Sequence, residues 1–509
     1  MIKFPHFLFG LLALFLLIQC KPDPVPPTIE ELILTDSVKV NPFEISPLTA
    51  RIWLTTLEPT RIESRVVGQQ GTASDVVHDF AEIQTEHQLD ILGLYANTNN
   101  QIELTFYDEQ GEALGTQTFS AITAPLSAAM PDIRIDQSAS QRAPGMTLVS
   151  YFGHDGSLRP QRPFIFDEFG DIRWWLDFKG HPELGNMFYD NGVERLANGN
   201  LYFGEAALER VYEMNMLGEI VNFWELPGYT FHHNVIEKPD GNFIVTVSKR
   251  NEPTVEDYLI ELDRGTGDIV RTWNLNESLE YARRTLIEDP VDWIHVNAVA
   301  YDAQDNTIVI SGRTQGVIKL TMDNQVVWIM GCHQGWGTNG RGEDLNQFLL
   351  QPLDANGNPI TDPDVLNGLS NHPDFEWNWY QHAPILTPEN DWLIFDNGDN
   401  RNFNNVSPYS RAVAYEVDDV NRTIQQTWTY GKERGEETYS RIVSEVDYLV
   451  EQDHVVYSSG SITFGGVNVG KIIEVDYATR DVISEVTLTP PIAPFKVTFH
   501  RTERLSLYP

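Results

Sequence analysis

A chain of 509 residues is longer than one hydrophobic core keeps growing to fill, so two packed units are expected. Its 35 Lys and Arg face 73 Asp and Glu, and the net charge of −38 repels nucleic acid and anionic membrane surfaces over most of the molecule. That argues against a nucleic-acid partner, and it means that an anionic substrate needs a local cationic pocket.

The first twenty residues read as a targeting segment. Lys3 precedes a 12-residue apolar run, Phe7 to Ile18, too short to cross a bilayer but suited to the core of a signal peptide. "LIQC" follows, ahead of the Pro-rich "KPDPVPP", and resembles a bacterial lipoprotein cleavage site in which Cys20 becomes the lipidated N-terminus. Gln19 departs from the small residue usual before that cysteine, and an ordinary signal peptide with a chance cysteine is the alternative. The expectation is a signal peptide over 1–20, a linker over 21–28, and an exported lipoprotein facing the periplasm or cell surface. Cleavage would leave Cys332 as the only other thiol, so no intramolecular disulfide forms.

Residues 29–130 carry short alternating segments such as "TARIWLTT" and "NQIELTFYDEQGEALGTQTFS", which predict a small β-sandwich with no chemical constellation of its own. The rest, 140–509, repeats. Strands ending near Trp175, Trp224, Trp273, Trp328 and Trp428 follow acidic or Gly-containing turns at spacings of 49, 49, 55 and 100 residues. Four-stranded repeats of this length signify a β-propeller, and the long spacing holds an insertion near 335–378. Turns such as "KPDGNFIV" and "TPENDWLIF" mark units beginning near Gly192, His232, His295, His382 and Ile442. The segment before them supplies three strands, and "FKVTFHRTERL", Phe495 to Leu505, is the natural donor of a fourth. The predicted fold is all-β: a six-bladed propeller, tied shut by the C-terminus and preceded by the sandwich.

Inner strands of a propeller begin at one mouth of its channel. "FHHNV" places His232 and His233 there, "DWIHVNAV" His295 and Asn297, and "YQHAPIL" His382. His295 and Asn297 are two apart and should project from the same side of their strand. One such histidine alone is more readily explained as satisfying buried backbone; recurrence in three repeats favours a site. Arg313, at the end of the next strand, suits a tetrahedral oxyanion through its planar donor fork, with a salt bridge as the plain alternative. Arg401 and Arg411 are weaker candidates of the same kind.

These segments, with "ISGRTQGVIKL", "GCHQGW", "FDNGDNR", "SRAVAYEVDD" and "TWTYGKERGEETYS", resemble the bacterial aryl-sulfate sulfotransferases, which use no nucleotide donor. The resemblance covers most of residues 190–445. It implies an enzyme without a cofactor or metal, an aryl sulfate donor and a phenolic acceptor, and it admits a homodimer. Carried over residue by residue, the nucleophile falls on His382, the sulfuryl-binding histidine and asparagine on His295 and Asn297, and the arginine on Arg313. The fourth member falls on His233, favoured over His232 because "HHNVIEKPDGN" matches "QHAPILTPEND" with His233 opposite His382. Members with a cysteine pair near the site differ from this chain, which cannot form one.

The chemistry expected is double displacement through a sulfohistidine, with neutral imidazole as nucleophile and the remaining polar set stabilising the charge. Trp336, Trp377, Trp379 and Tyr380 either stack on aryl rings or serve ordinary packing. Two rivals stand beside this reading. One is a zinc-dependent propeller hydrolase built on converging histidines, which Arg313 disfavours. The other is a propeller binding lipoprotein without enzymatic activity.

Overall fold

The computed structural model describes residue 1 and residues 28–154, 161–187, 192–284, 286, 288–404, 406–464, 466–491 and 496–509. The targeting segment apart from Met1, Cys20 included, and all but the last residue of the linker lie outside the described residues, as does Phe495.

The N-terminal unit is one five-stranded sheet organised around the long strand Ala50–Val66. Alternate residues of that strand are buried until Leu57, Glu58 and Pro59, which are exposed. Proline cannot donate to the ladder, and the pairing with Val76–Ile91 is irregular between Thr55 and Ile62. The sheet doubles over at this bend and brings Ile33–Val40 against Ala113–Ile122, enclosing Ile52, Leu54, Leu89, Ile102, Leu104 and Phe106. The outcome is the two-layered unit that the alternation predicted.

Six sheets then form the ring of blades. Blades 2 to 6 have the inner strands Glu194–Arg195, Tyr229–Glu237, Val296–Asp302, His382–Leu386 and Glu445–Leu449. Blade 1 is built from Met146–His154, Phe164–Phe166 and Ile172–Trp175, and Lys496–Leu505 pairs with Met146–His154 as its innermost strand. The two ends of the ring thus share one sheet, which removes its free edges. One extra strand, Asp132–Ser138, pairs with the outer edge of blade 6 as the chain leaves the N-terminal unit.

Tryptophan recurs because it fastens each blade to the next. From the fourth strands, indole N–H groups donate to the following blade's outer turn: Trp224 to Arg264 O, Trp273 to Thr321 O, Trp328 to Asp419 Oδ1 and Trp428 to Tyr477 O, at 2.7–3.1 Å. Blade 1 uses Trp174, which donates to Met216 O at 2.6 Å, rather than its neighbour Trp175. The insertion fills the outside of blades 4 and 5. Its strand Gln351–Leu353 pairs in parallel with Thr423–Tyr430, and Phe375, Trp377 and Trp379 join the core around Trp328.

The two units are locked together. Arg173, fully buried, donates to Gly93 O, Ser74 O and Asp167, and stacks 3.8 Å from the Tyr95 ring. At the C-terminus Tyr508 donates to Asp90 O and stacks on His78 at 3.8 Å.

Candidate functional site

The inner strands of blades 3, 4 and 5 each break their ladder at the same place. Register shifts fall between Phe231 and Val235, between Val296 and Ala298, and between His382 and Ile385. Left-handed backbone accompanies them at His233 (φ 55°), His295 (φ 52°) and Ala383 (φ 48°). Bulges of this kind re-aim side chains beside active sites. They also replace the mechanism expected for His295 and Asn297. The strand begins at Val296, after His295, and Asn297 is the extra residue of a bulge, so a two-residue period does not relate them.

His233, Asn297, His382, Ser444 and His500 line one small cavity at the ring's centre. His382 is 5% exposed, and its Nδ1 lies 2.7 Å from Asn397 Oδ1. Asn397 spends its own Nδ2 protons on Ser440 O and Val443 O, at 2.8 and 2.9 Å. Its oxygen must therefore face the imidazole, Nδ1 must carry the ring proton, and the Nε2 lone pair is left to react. Burial pushes this imidazole well below the usual histidine range, against the Asn397 hydrogen bond; the positive charges of Arg313, His500 and His233 act in the same direction as burial. His382 is consequently neutral at pH 7, the state a nitrogen nucleophile requires.

Of the other polar side chains expected here, Asn297 and His233 share its cavity lining. Asn297 Nδ2 donates to Gln381 O at 2.9 Å, which fixes the amide. His233 Nε2 lies 3.1 Å from Glu256 Oε2, and His295 Nδ1 lies 2.6 Å from Asp292 Oδ2 and 2.7 Å from Glu256 Oε2. Arg313 makes no ion pair among the described residues; its guanidinium rests 5.3 Å from the Tyr380 ring with Nε unpartnered. The salt-bridge alternative for Arg313 is thereby answered.

The other candidates are disposed differently. His232 is not among the residues that line the small cavity; its ring is edge-on to His233 at 5.3 Å. Arg401 and Arg411 do not join the histidines. Asp396 Oδ2 accepts from Arg401 Nη2 at 2.9 Å and from Arg411 Nε at 2.8 Å, and Glu376 lies within 3.7 Å of both guanidiniums. Their substrate-binding role gives way to a buried ion-pair network, because fully desolvated arginines go to the nearest carboxylates. Trp336, Trp377 and Trp379 are core residues, and the Tyr380 ring lies 5.3 Å from the Arg313 guanidinium. Sequence reasoning missed Asn397, inside "FDNGDNR"; Glu256, in a turn; and His500, whose signal was its place in the closing strand.

Two overlapping groups could hold a metal ion, His232–His233–Glu256 and Glu256–Asp292–His295. Around His295 the N···O separations of 2.6 and 2.7 Å suit hydrogen bonds from an imidazole N–H to carboxylates. They are tighter than the roughly 3.3 Å between neighbouring ligands that tetrahedral zinc bonds of about 2.0–2.1 Å require.

The small cavity adjoins a larger one of about 450 Å³, with Ala298, Ala383 and Arg501 common to both. That volume admits an aryl ring. Glu194, Glu445, Asp447 and Glu503 also line it. Burial pushes the Glu445 carboxyl up, against the pull of Arg501, and raises Glu503 to about 8, so Glu503 is largely neutral at pH 7. Arg501 ion-pairs with Glu194 and lies 3.5 Å from Glu445. The cavity therefore carries less negative charge than the composition suggests.

Comparison with known proteins agrees with this architecture. A family model described as arylsulfotransferase matches residues 132–494, and one described as arylsulfotransferase Ig-like domain matches residues 37–125. An arylsulfate sulfotransferase, AssT, of Lelliottia amnigena is 28% identical over 545 residues, covering 88% of this chain and 89% of that protein. The AssT of Escherichia coli O6:H1 is 32% identical over 380 residues, 64% of this chain and 62% of that protein. Among solved structures, the β-propeller domain of Cps50 (Swd1) from Myceliophteria thermophila covers 71% of this chain and 86% of its own, with 10% identity and a TM-score of 0.35. With the first model spanning more than half of the residues, this sulfotransferase enzyme belongs to the arylsulfotransferase family.

Proposed function

We propose that the chain moves a sulfuryl group from a phenolic sulfate ester to a second phenol by double displacement, through a sulfohistidine on His382. The observation that carries this reading is the Asn397 contact, which reserves the His382 Nε2 lone pair inside a ring of donors. Nε2 attacks sulfur as the bond to the aryl oxygen breaks, and that oxygen departs with the bond's electron pair. The sulfated ring keeps its Nδ1 proton on Asn397 and carries a positive charge, so it surrenders the sulfuryl group readily to the acceptor oxygen. His233, His295, Asn297 and Arg313 stabilise charge on the sulfuryl oxygens, Arg313 through its two-pronged fork. The adjoining cavity takes the aryl group. Export and anchoring through Cys20, towards the periplasm or cell surface, belong to the same reading on the strength of residues 1–20.

Intact-protein mass spectrometry under alkaline quench tests it. Mixing the chain lacking residues 1–20 with an aryl sulfate should add one SO₃, about 80 Da, and His382→Ala should abolish the adduct. An adduct that persists in His382→Ala, or none in the parent with no phenol released, defeats the proposal.

A further inference from the structure

Glu256 sits on the connection between Phe243–Lys249 and Tyr258–Leu262 of blade 3 and reaches histidines of two blades at once. One oxygen, Oε2, is 3.1 Å from His233 Nε2 and 2.7 Å from His295 Nδ1, and Asp292 Oδ2 is 2.6 Å from the latter. Ionised carboxylates only accept, so both of these ring nitrogens carry protons. His295 is left with Nε2 as its working atom, buried and without a hydrogen-bond partner among the described residues.

The backbone is built for this contact. Glu256 is itself left-handed, φ 56°, like His233 and His295. Its N–H donates to Ser248 Oγ of blade 3, and its carbonyl accepts from Val296 N–H of blade 4. A non-glycine residue in this conformation costs on the order of 1–3 kcal/mol, and such strain gathers where function requires it. Burial alone would raise the Glu256 carboxyl, but the His233 charge and the hydrogen bonds from His233 and His295 hold it well below the usual range.

We propose that Glu256 is a positioning residue which, with Asp292, anchors the Nδ1 proton of His295 and so presents its Nε2 to the leaving and attacking phenols. This rests on the sulfohistidine reading and adds the proton path to it. In the first half-reaction the aryl oxygen parts from sulfur as His382 Nε2 bonds to it, and the Nε2 proton of His295 passes to that oxygen. His295 is then neutral. In the second, the acceptor's hydroxyl proton returns to His295 Nε2 as its oxygen takes the sulfuryl group from His382. The charged and titratable groups facing His295 are Glu256 and Asp292, the His233 ring at 4.7 Å, His232 across Glu256, and Arg313, whose backbone N–H donates to His295 O.

Glu256→Gln keeps the shape and removes the charge. The measurement is kcat/KM against pH for a series of aryl sulfates whose phenols differ in acidity. A nitrophenyl sulfate, whose leaving group needs no proton, should lose less than about 3-fold, and esters of weakly acidic phenols about 100-fold or more, the usual worth of general acid catalysis. The alkaline limb should move to lower pH, and Glu256→Asp should restore part of the lost selectivity. A loss equal for all esters with an unmoved limb overturns the proposal. Should Gln at 256 prevent folding, Asp292→Asn applies the same test, with a smaller leaving-group dependence expected and a uniform loss again decisive against it. The adduct experiment on the unsubstituted protein separates the two levels: no adduct there defeats the sulfohistidine reading, whereas an adduct with a uniform loss defeats only the role of Glu256.

Discussion

Asn397 Oδ1 stands 2.7 Å from His382 Nδ1, and the carbonyls of Ser440 and Val443 decide the direction of that contact by occupying the Asn397 amide protons. Since burial also keeps His382 neutral well below the usual histidine range, the acid limb of kcat/KM in the natural chain should lie below pH 6.5. Asn397→Asp places an anion on Nδ1 and favours the imidazolium, which has no lone pair at Nε2. Its acid limb should climb by roughly one to three pH units. It should also melt earlier, because two carbonyls lose their donor. A pH–rate profile with the limb unmoved would show that Asn397 does not govern the nucleophile.

Arg313 combines a half-buried guanidinium with no ion pair among the described residues, so its removal should affect chemistry more than stability. Arg313→Ala should lower kcat/KM by about 100- to 1,000-fold. Lysine, a point charge without the planar fork, should recover no more than about 10-fold of it. Calorimetry on both variants should give melting temperatures close to that of the unsubstituted chain. A large drop in melting temperature would assign Arg313 to the scaffold instead.

Much of this arrangement could be read from the residues because repetition averages out local ambiguity. Five recurring tryptophans stated the fold, and four of them, as the indole hydrogen bonds reveal, are the fastening between blades. In blade 1 the pair Trp174–Trp175 left the choice to register, since neighbours in a strand face opposite sides. His382 and Arg313 were visible as polar residues at strand ends. Asn297 was visible too, but its orientation comes from a bulge, which hydrophobic alternation does not encode. Glu256 lies in the turn "NEPTVED", where acidic residues are ordinary, and acquires meaning only when blade 4 is laid beside it. His500 required knowing that the closing strand is the innermost one of its blade.

Arg411 gives a contrasting prediction. Its guanidinium is buried against Asp396 and Glu376, and Arg411→Ala would leave these buried carboxylates to Arg401, Lys432 and Tyr409 alone, a loss of up to about 3–5 kcal/mol. The folded fraction should retain an ordinary KM for the aryl sulfate. The network also fixes an acid limit. Burial would raise Glu376, but the Arg411 charge and the bonds from Lys432 and Tyr409 hold it at about 2. Its folded value is below the unfolded one of about 4.5, so its stabilisation is present above pH 4.5 and is lost as pH falls towards 2. Acid unfolding followed by circular dichroism should show this loss in the natural chain and a weaker pH dependence in Arg411→Ala. A raised KM with unaltered stability would return Arg411 to the substrate.

Glu503 runs the opposite way. Burial, reinforced by the negative charges of Glu194 and Asp447 and opposed by Arg195, raises its carboxyl from 4.5 to about 8. Between those values the unfolded chain has released the proton that the folded chain retains, so stability falls as pH rises through this window and levels off above it. Glu503→Gln removes the cost. Its melting temperature should match that of the natural chain near pH 5 and exceed it increasingly towards pH 8, where the difference should reach roughly 1–3 kcal/mol. The same group bears on substrate. Below pH 8 a protonated Glu503 lines the cavity beside Arg501 without repelling a sulfate ester, whereas above it the added negative charge should raise KM for the donor. The glutamine variant should keep its KM flat from pH 7 to 9. Parallel KM curves for the two proteins would place the aryl sulfate outside this cavity and on the opposite side of His382.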